Sequence, residues 1–335
     1  MIEQALAGET RRPITSGRRS NLVDLVKGLA IILVVYGHTA QGVVHRGWWS
    51  GPWADFSKAF IYSFHMPAFF FASGLFVFGS IQRRGPAKFT LEKMKTILYP
   101  YLLFAGISAA LGPLIRRFQM SYSPFHWNAF LMNVADGSGS WFLFTLFWCL
   151  LLALLTVRFP NWLRFLLSVL VGMAPIYGTF HTDRVWQEFC FVAAGMWVGN
   201  HVFRLEDIPK WKAAVGFMLL AAFQFAAIYF YGFVDRWTYI GLGLTGTAGL
   251  FLLARLLENH RIGEALVWVG RASLAIFLLS AFAQGATRVV LSDLLHTNNL
   301  WLQLLLPTAF ATVLPAIVWY QQDRWRLGWL FHWPL

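Results

Sequence analysis

The sequence predicts an all-α fold: a polytopic transmembrane helical bundle with about ten spans and both termini in the cytoplasm. Three observations predict it. Of 335 residues, 58% are hydrophobic and 13% charged, against about 25% charge in a soluble domain. Apolar runs of roughly 20 residues, enough to cross a bilayer as a helix, recur about ten times. Lysines and arginines crowd into alternate connections between those runs, as the positive-inside rule requires.

The spans are expected at 22–44, 57–79, 96–115, 141–157, 162–180, 186–203, 212–232, 239–257, 266–288 and 301–320. The first has no small-residue cleavage site behind it and is too long for a signal core, so it is expected to be retained. The second carries Pro67, which would free a backbone carbonyl where the helix borders a polar space. The third opens on a basic stretch, Lys93-Met-Lys95. Between the third and fourth, residues 119–139 read as a loop with a short interfacial helix. With the N-terminus inside, inner segments hold 18 lysines and arginines and outer segments hold 7, which orients the bundle. The chain then divides into a basic cytoplasmic tail (1–21), a membrane domain (22–320) and a cytoplasmic C-terminal tail (321–335). Trp48, Trp49, Trp53, Trp141, Trp186, Trp211, Trp237 and Trp301 sit near span ends and read as interfacial anchors. No internal repeat stands out.

Several function classes fall away. The net charge of +12 belongs to the topology, and no nucleic-acid-reading module accompanies it. Cys149 and Cys190 lie inside apolar runs, which is neither a disulfide framework nor a zinc signature. The nine histidines show no metal-binding spacing, so no metal is expected. Gly241, Gly243 and Gly246 match a dinucleotide-binding spacing, but inside a hydrophobic span they read as helix packing.

What remains is a set of ionisable residues at membrane depth, where each is costly and so a candidate for function. Lys27 and His38 are eleven residues apart, close to three helical turns, so they share a face roughly 16 Å apart along the axis. Asp24 lies near the same stripe. An i, i+3 pair of Asp24 with Lys27 is also what a simple interfacial salt bridge looks like. His65, in the second span, falls within about 5 Å of the depth of His38, so both histidines can line one cavity. His65 also suits a plain hydrogen bond between helices. Lys93, Lys95, Lys27 and Arg271 gather at the cytoplasmic level. They suit the phosphates of an anionic cytosolic ligand, or equally the anionic lipid headgroups.

These residues resemble a known family. Asp24-Leu-Val-Lys27-Gly28 followed by His38 resembles the Arg/Lys-x10-His signature of the integral membrane acyltransferases called acyltransferase family 3. Phe64-His65-Met66-Pro67 through Ser73-Gly74 is similar to that family's second-span motif, above all in the branch of fucose 4-O-acetylase-like proteins. Lys93 to Tyr101, Ser140-Trp141-Phe142-Leu143 and Gly270-Arg271-Ala-Ser273-Leu resemble later motifs. The chain departs from the pattern at Ser280, where many relatives have His, and at Lys27, where Arg is commoner.

The resemblance implies transfer of an acyl group, usually acetyl, from cytosolic acetyl-CoA to a hydroxyl of an envelope sugar or lipid-linked glycan at the inner membrane. No tightly bound cofactor is implied; acetyl-CoA is the donor substrate. The separation of Lys27 and His38 is about that of a pantetheine arm, so phosphates held near Lys27, Lys93, Lys95 and Arg271 would put the thioester near His38. His38 would act as general base or carry the acyl group itself. His65 would position the acceptor or stabilise an oxyanion, and Asp24 would hold Lys27. Trp141 and Ser73 are expected to contact the acceptor substrate. A proton-coupled transporter or flippase of a sugar or glycolipid is the other reading of ten spans with buried charge.

Overall fold

A computed structural model of the chain describes residues 21–116, 134, 140–174, 182–232 and 235–333. The expected basic tail before residue 21 lies outside them, as does the expected loop at 119–139 apart from residue 134. Among the described residues every regular element is helical. In chain order they are α1 (Asn21–His45), α2 (Pro52–Tyr62), α3 (His65–Lys93), a π-helical turn (Met94–Leu98), α4 (Tyr99–Arg116), α5 (Trp141–Leu155), α6 (Asn161–Met173), α7 (Thr182–Val198), a 3-10 turn (Gly199–Asp207), α8 (Lys210–Tyr231), α9 (Arg236–Leu257), α10 (Arg261–Arg271), α11 (Ser273–Val289), a second π turn (Val290–Leu294), α12 (Leu300–Tyr320) and a 3-10 turn (Gly328–Leu330).

Among the described residues, six helical stretches are long and apolar enough to cross a membrane: Asn21–His45, Pro52–Ser108, Lys210–Tyr231, Arg236–Leu257, Ser273–Leu294 and Leu300–Tyr320. The helices α5 and α6 are apolar but shorter. The fourth and fifth expected spans therefore coincide with helices of less than spanning length. The sixth falls on α7, which carries Asp183, Arg184 and Glu188 in its first half.

Helix α1 is the axis of the molecule. It packs against α2, α3, α9, α10, α11 and α12, and 67% of its most apolar window is buried, against 17% for α8 at the periphery. Small residues bring the backbones together. A Cβ on Gly28 would strike the Leu266 carbonyl and one on Gly270 the Asp24 carbonyl, so α1 and α10 touch backbone to backbone. Gly74 and Gly195 join α3 to α7 in the same way. Packing of this kind drives helix association in lipid, where apolar burial offers no gain. Gly243 and Gly246 belong to it too, lying against Phe191 with Pro67 and against Phe64, which accounts for their spacing without a nucleotide.

Three breaks in the helices shape the site. The expected second span is interrupted: α2 ends at Tyr62 and α3 starts at His65. Pro67 is thus the third residue of a new helix, where its missing N–H costs nothing, and not an interior residue of one continuous span. The carbonyls released at the break find side chains. Ser63 Oγ donates to Phe60 O at 2.7 Å and accepts from Gln224 Nε2 of α8 at 2.7 Å. Farther on, Gly85 has φ 77° and is followed by Pro86, a pair that turns α3 sharply. Finally, the expected ninth span is split at Ala272 into α10 and α11.

Candidate active site

One end of α1 gathers charge. Asp24 lies in its first turn, where a carboxylate suits the helix dipole, and Arg271 lies in the last turn of α10, where a cation does. The backbone contact at Gly28 and Gly270 brings these ends together. Arg271 Nε donates to Asp24 Oδ2 at 3.3 Å, and its Nη2 donates to Asn21 Oδ1 at 3.1 Å. Asp24 is 1% exposed and Arg271 42%. Asp24, expected to hold Lys27, is paired here with Arg271, 247 residues away in sequence.

Lys27, one turn on, lines a cavity of about 160 Å³ with Ser73, Ser80, Phe89, Lys93 and Leu146. Ser73 and Lys93 sit on the same helix, and twenty unbroken residues would set them about 30 Å apart. The turn at Gly85 and Pro86 folds the last part of α3 back, so both face one space. Lys93 Nζ stands 5.3 Å from the centre of the Phe89 ring, and Arg84 pairs with Glu92 beside it. Two of the four expected phosphate-binding cations, Lys27 and Lys93, thus share a cavity. Lys95 and Arg271 do not line it. Lys95 lies in the π turn, and its carbonyl accepts from Trp333 N at 3.2 Å, tying the C-terminal segment to this end of the bundle. Ser73, expected at the acceptor, lies instead beside Lys27 and donates to Phe69 O at 2.8 Å.

Farther along α1, Gly37 and Thr39 are buried while His38 between them is exposed. The Tyr62 ring packs on Gly37 and meets the His65 ring edge-on at 4.9 Å. His38 directly follows Gly37, so the Tyr62 ring stands between α1 at this level and the His65 ring. His65 is 3% exposed and its Nδ1 bonds to Ile61 O, a carbonyl near the end of α2. A carbonyl only accepts, so Nδ1 carries the proton and Nε2 is left as an acceptor. Trp141 starts α5 with the Arg184 guanidinium 4.4 Å from its ring centre, so one of its two faces is already taken.

Some residues that matter here went unnoticed in the sequence. Glu188 on α7 is 3% exposed; its Oε1 accepts from Tyr239 OH at 2.7 Å and, among the described residues, its Oε2 has no hydrogen-bond partner. A lone acid in the apolar run from Val185 to Val198 was the available signal. Arg164, counted with the cytoplasmic loop charges, is 2% exposed and donates to the carbonyls of Thr156, Val157 and Phe159, closing the end of α5. On α11, Ser280, Gln284 and Arg288 recur every four residues and face α1. Gln284 Nε2 donates to Val35 O at 2.7 Å and to Thr39 Oγ1 at 3.0 Å. The late-motif position that departs from the family pattern, Ser280, is the first member of this stripe and is 4% exposed.

A bundle that holds lysines in a cavity at one end of its axial helix, with His38 farther along that helix and His65 at the start of α3, has the groups that a membrane-bound transfer enzyme requires. A family profile described as an acyltransferase domain, Acyl_transf_3, matches residues 21–320, and the chain belongs to this acyltransferase family. Two similar proteins are both nodulation protein NolL. That of Sinorhizobium fredii is 30% identical over 181 residues, covering 51% of this chain and 44% of the relative. That of Mesorhizobium japonicum is 31% identical over 113 residues, covering 32% of this chain and 29% of the relative. The matched stretches thus span less than half the length of these relatives. No solved structure matches.

Proposed function

We propose that this protein is a multi-pass enzyme of the inner membrane, crossing about ten times with both termini cytoplasmic. It moves an acetyl or related acyl group from acyl-CoA to a hydroxyl of an envelope sugar or lipid-linked glycan. Residues 1–21 and 321–335 are its cytoplasmic tails and 22–320 its membrane domain. The observation that carries this reading is the shared cavity of Lys27 and Lys93 at the foot of the helix that bears His38.

In this reading the cavity takes the anionic part of the donor, and Ser73 contacts the donor, not the sugar. The pantetheine arm runs along α1 for roughly 16 Å and sets the thioester at His38. His38 removes the proton of the acceptor hydroxyl as its oxygen attacks the thioester carbonyl, and the CoA thiolate leaves. His65, with Nδ1–H bound to Ile61 O, has no proton to give an oxyanion in this tautomer; its Nε2 lone pair accepts instead from a second, neighbouring hydroxyl of the acceptor sugar. The pairing of Asp24 with Arg271 fixes α10 against the start of α1 and so sets where Lys27 stands. The test is transfer from acetyl-labelled acetyl-CoA by the purified protein with envelope extract as acceptor. Label should move with wild type and not with His38→Ala, while both still bind CoA. Full transfer by His38→Ala would overturn the mechanism, and flux of a sugar without any acetylation would favour a transporter.

A further inference from the structure

The opposite end of α1 holds a second cationic group that the donor cavity does not use. Arg288 of α11 reaches across to α1. Its guanidinium lies where a side chain at residue 42 would be, so only Gly42 admits it, and its Nη2 donates to Thr39 O at 3.2 Å. Its Nε is buried and, among the described residues, has no hydrogen-bond partner. Arg46, one turn beyond Gly42, donates through Nη1 to Ser292 Oγ at 3.3 Å, and Ser292 is four residues past Arg288. Arg288 lies against Gly42 and Arg46 against Ser292, so these two links between α1 and the end of α11 are about one helical turn apart. Among the described residues neither arginine has a carboxylate partner.

Ser292 sharpens the picture. Its oxygen accepts from Arg46 and also from Gln303 Nε2 at 3.1 Å, so its own O–H is left to donate. An unbonded Arg288 Nε–H, the remaining N–H groups of Arg46 and the Ser292 O–H thus lie within one small region. Two like charges held together with spare donors are what an anion requires, and guanidinium forks match the oxygens of a phosphoryl group. Thr39, the residue whose carbonyl anchors Arg288, directly follows His38.

We propose that Arg46, Arg288 and Ser292 form a site for a phosphoryl group at the end of α1 opposite Lys27. The group comes from a lipid-linked acceptor or from a phospholipid headgroup. Its place on the acceptor side of His38 rests on the acyl-transfer reading; anion binding itself does not. A phosphoryl group held there lies about one to two turns along α1, roughly 6–12 Å, from His38, a gap that the attached sugar bridges.

The test uses the full chain in phosphatidylcholine nanodiscs with inorganic pyrophosphate as probe, and binding followed by phosphorus NMR. Lys27→Gln with Lys93→Gln serves as a background in which the donor cavity is disabled. In that background Arg288→Gln and Arg46→Gln should each weaken pyrophosphate binding about tenfold, or about 1.4 kcal/mol. Arg288→Lys should lose less, and it guards against a merely unfolded variant, as does an unchanged gel-filtration profile. Phosphatidylglycerol in the nanodisc should compete with pyrophosphate if the source is a headgroup. If it does not, and a short-chain prenyl pyrophosphate sugar does, the source is the acceptor. Unchanged affinity in both arginine variants, or no binding at all in the background, would overturn the proposal. Arginine-dependent binding together with no acetyl transfer by wild type would keep this site and discard the acyl-transfer reading.

Discussion

The two ends of α1 are both basic, yet they hold their charges differently. At the Lys27 end the cations are lysines around a cavity of about 160 Å³, with Asp24 and Arg271 bonded to each other one turn away. At the Arg46 end they are arginines tied to a backbone carbonyl and a serine hydroxyl. Lysine is a flexible point charge, suited to following a ligand that arrives and departs. Arginine is a rigid planar fork, suited to fixing one orientation. His38 lies between the two ends. The contrast teaches that net charge per end, which is all that positive-inside counting reads, says little about what each end does.

The largest expected effect comes from removing what the two ends share. His38→Ala should lower kcat by about a hundredfold or more, the usual range for a general base, with CoA affinity kept. A drop in CoA affinity alone would place His38 in donor binding. Next, Lys27→Gln and Lys93→Gln should each raise the KM for acyl-CoA about tenfold and leave kcat nearly unchanged. Equal losses in kcat and kcat/KM would mean that the lysines act only in the transition state. Smaller still is the coupling of Asp24 with Arg271. In a thermal-denaturation cycle of Asp24→Asn, Arg271→Gln and the double variant, an interaction of about 1 kcal/mol should emerge, since Arg271 is half open to solvent. Zero coupling would release Arg271 from a fixing role and return it to the ligand. The smallest effect is expected for Lys95→Gln, since Lys95 does not line the cavity: KM for acyl-CoA should stay within about twofold of wild type.

Much of the fold was legible because bilayer crossing leaves a coarse signal in the sequence. The runs beginning near residues 22, 212, 239 and 301 match α1, α8, α9 and α12 closely. The breaks were hidden, since each depends on partners distant in the chain. The stop at Ser63 is stabilised by Gln224, 161 residues away. The split at Ala272 leaves Arg271 at a helix end, where it meets Asp24. In the site, the stripe of Lys27 and His38 was readable from helical spacing alone. That Lys93 would join Lys27, and Lys95 would not, depended on the turn at Gly85, whose direction no periodicity reveals. The stripe of Ser280, Gln284 and Arg288 did have a signal, polar residues four apart in an apolar run. Arg164 had none, for a buried arginine closing a helix end looks in sequence like any loop charge.

The central claim is that the two basic ends serve different ligands. Equilibrium binding of CoA to wild type, Lys27→Gln and Arg288→Gln, measured side by side in the same nanodiscs, tests it most directly. Lys27→Gln should weaken CoA about tenfold and Arg288→Gln should leave it unchanged. CoA binding that depends on Arg288 and ignores Lys27 would contradict the account.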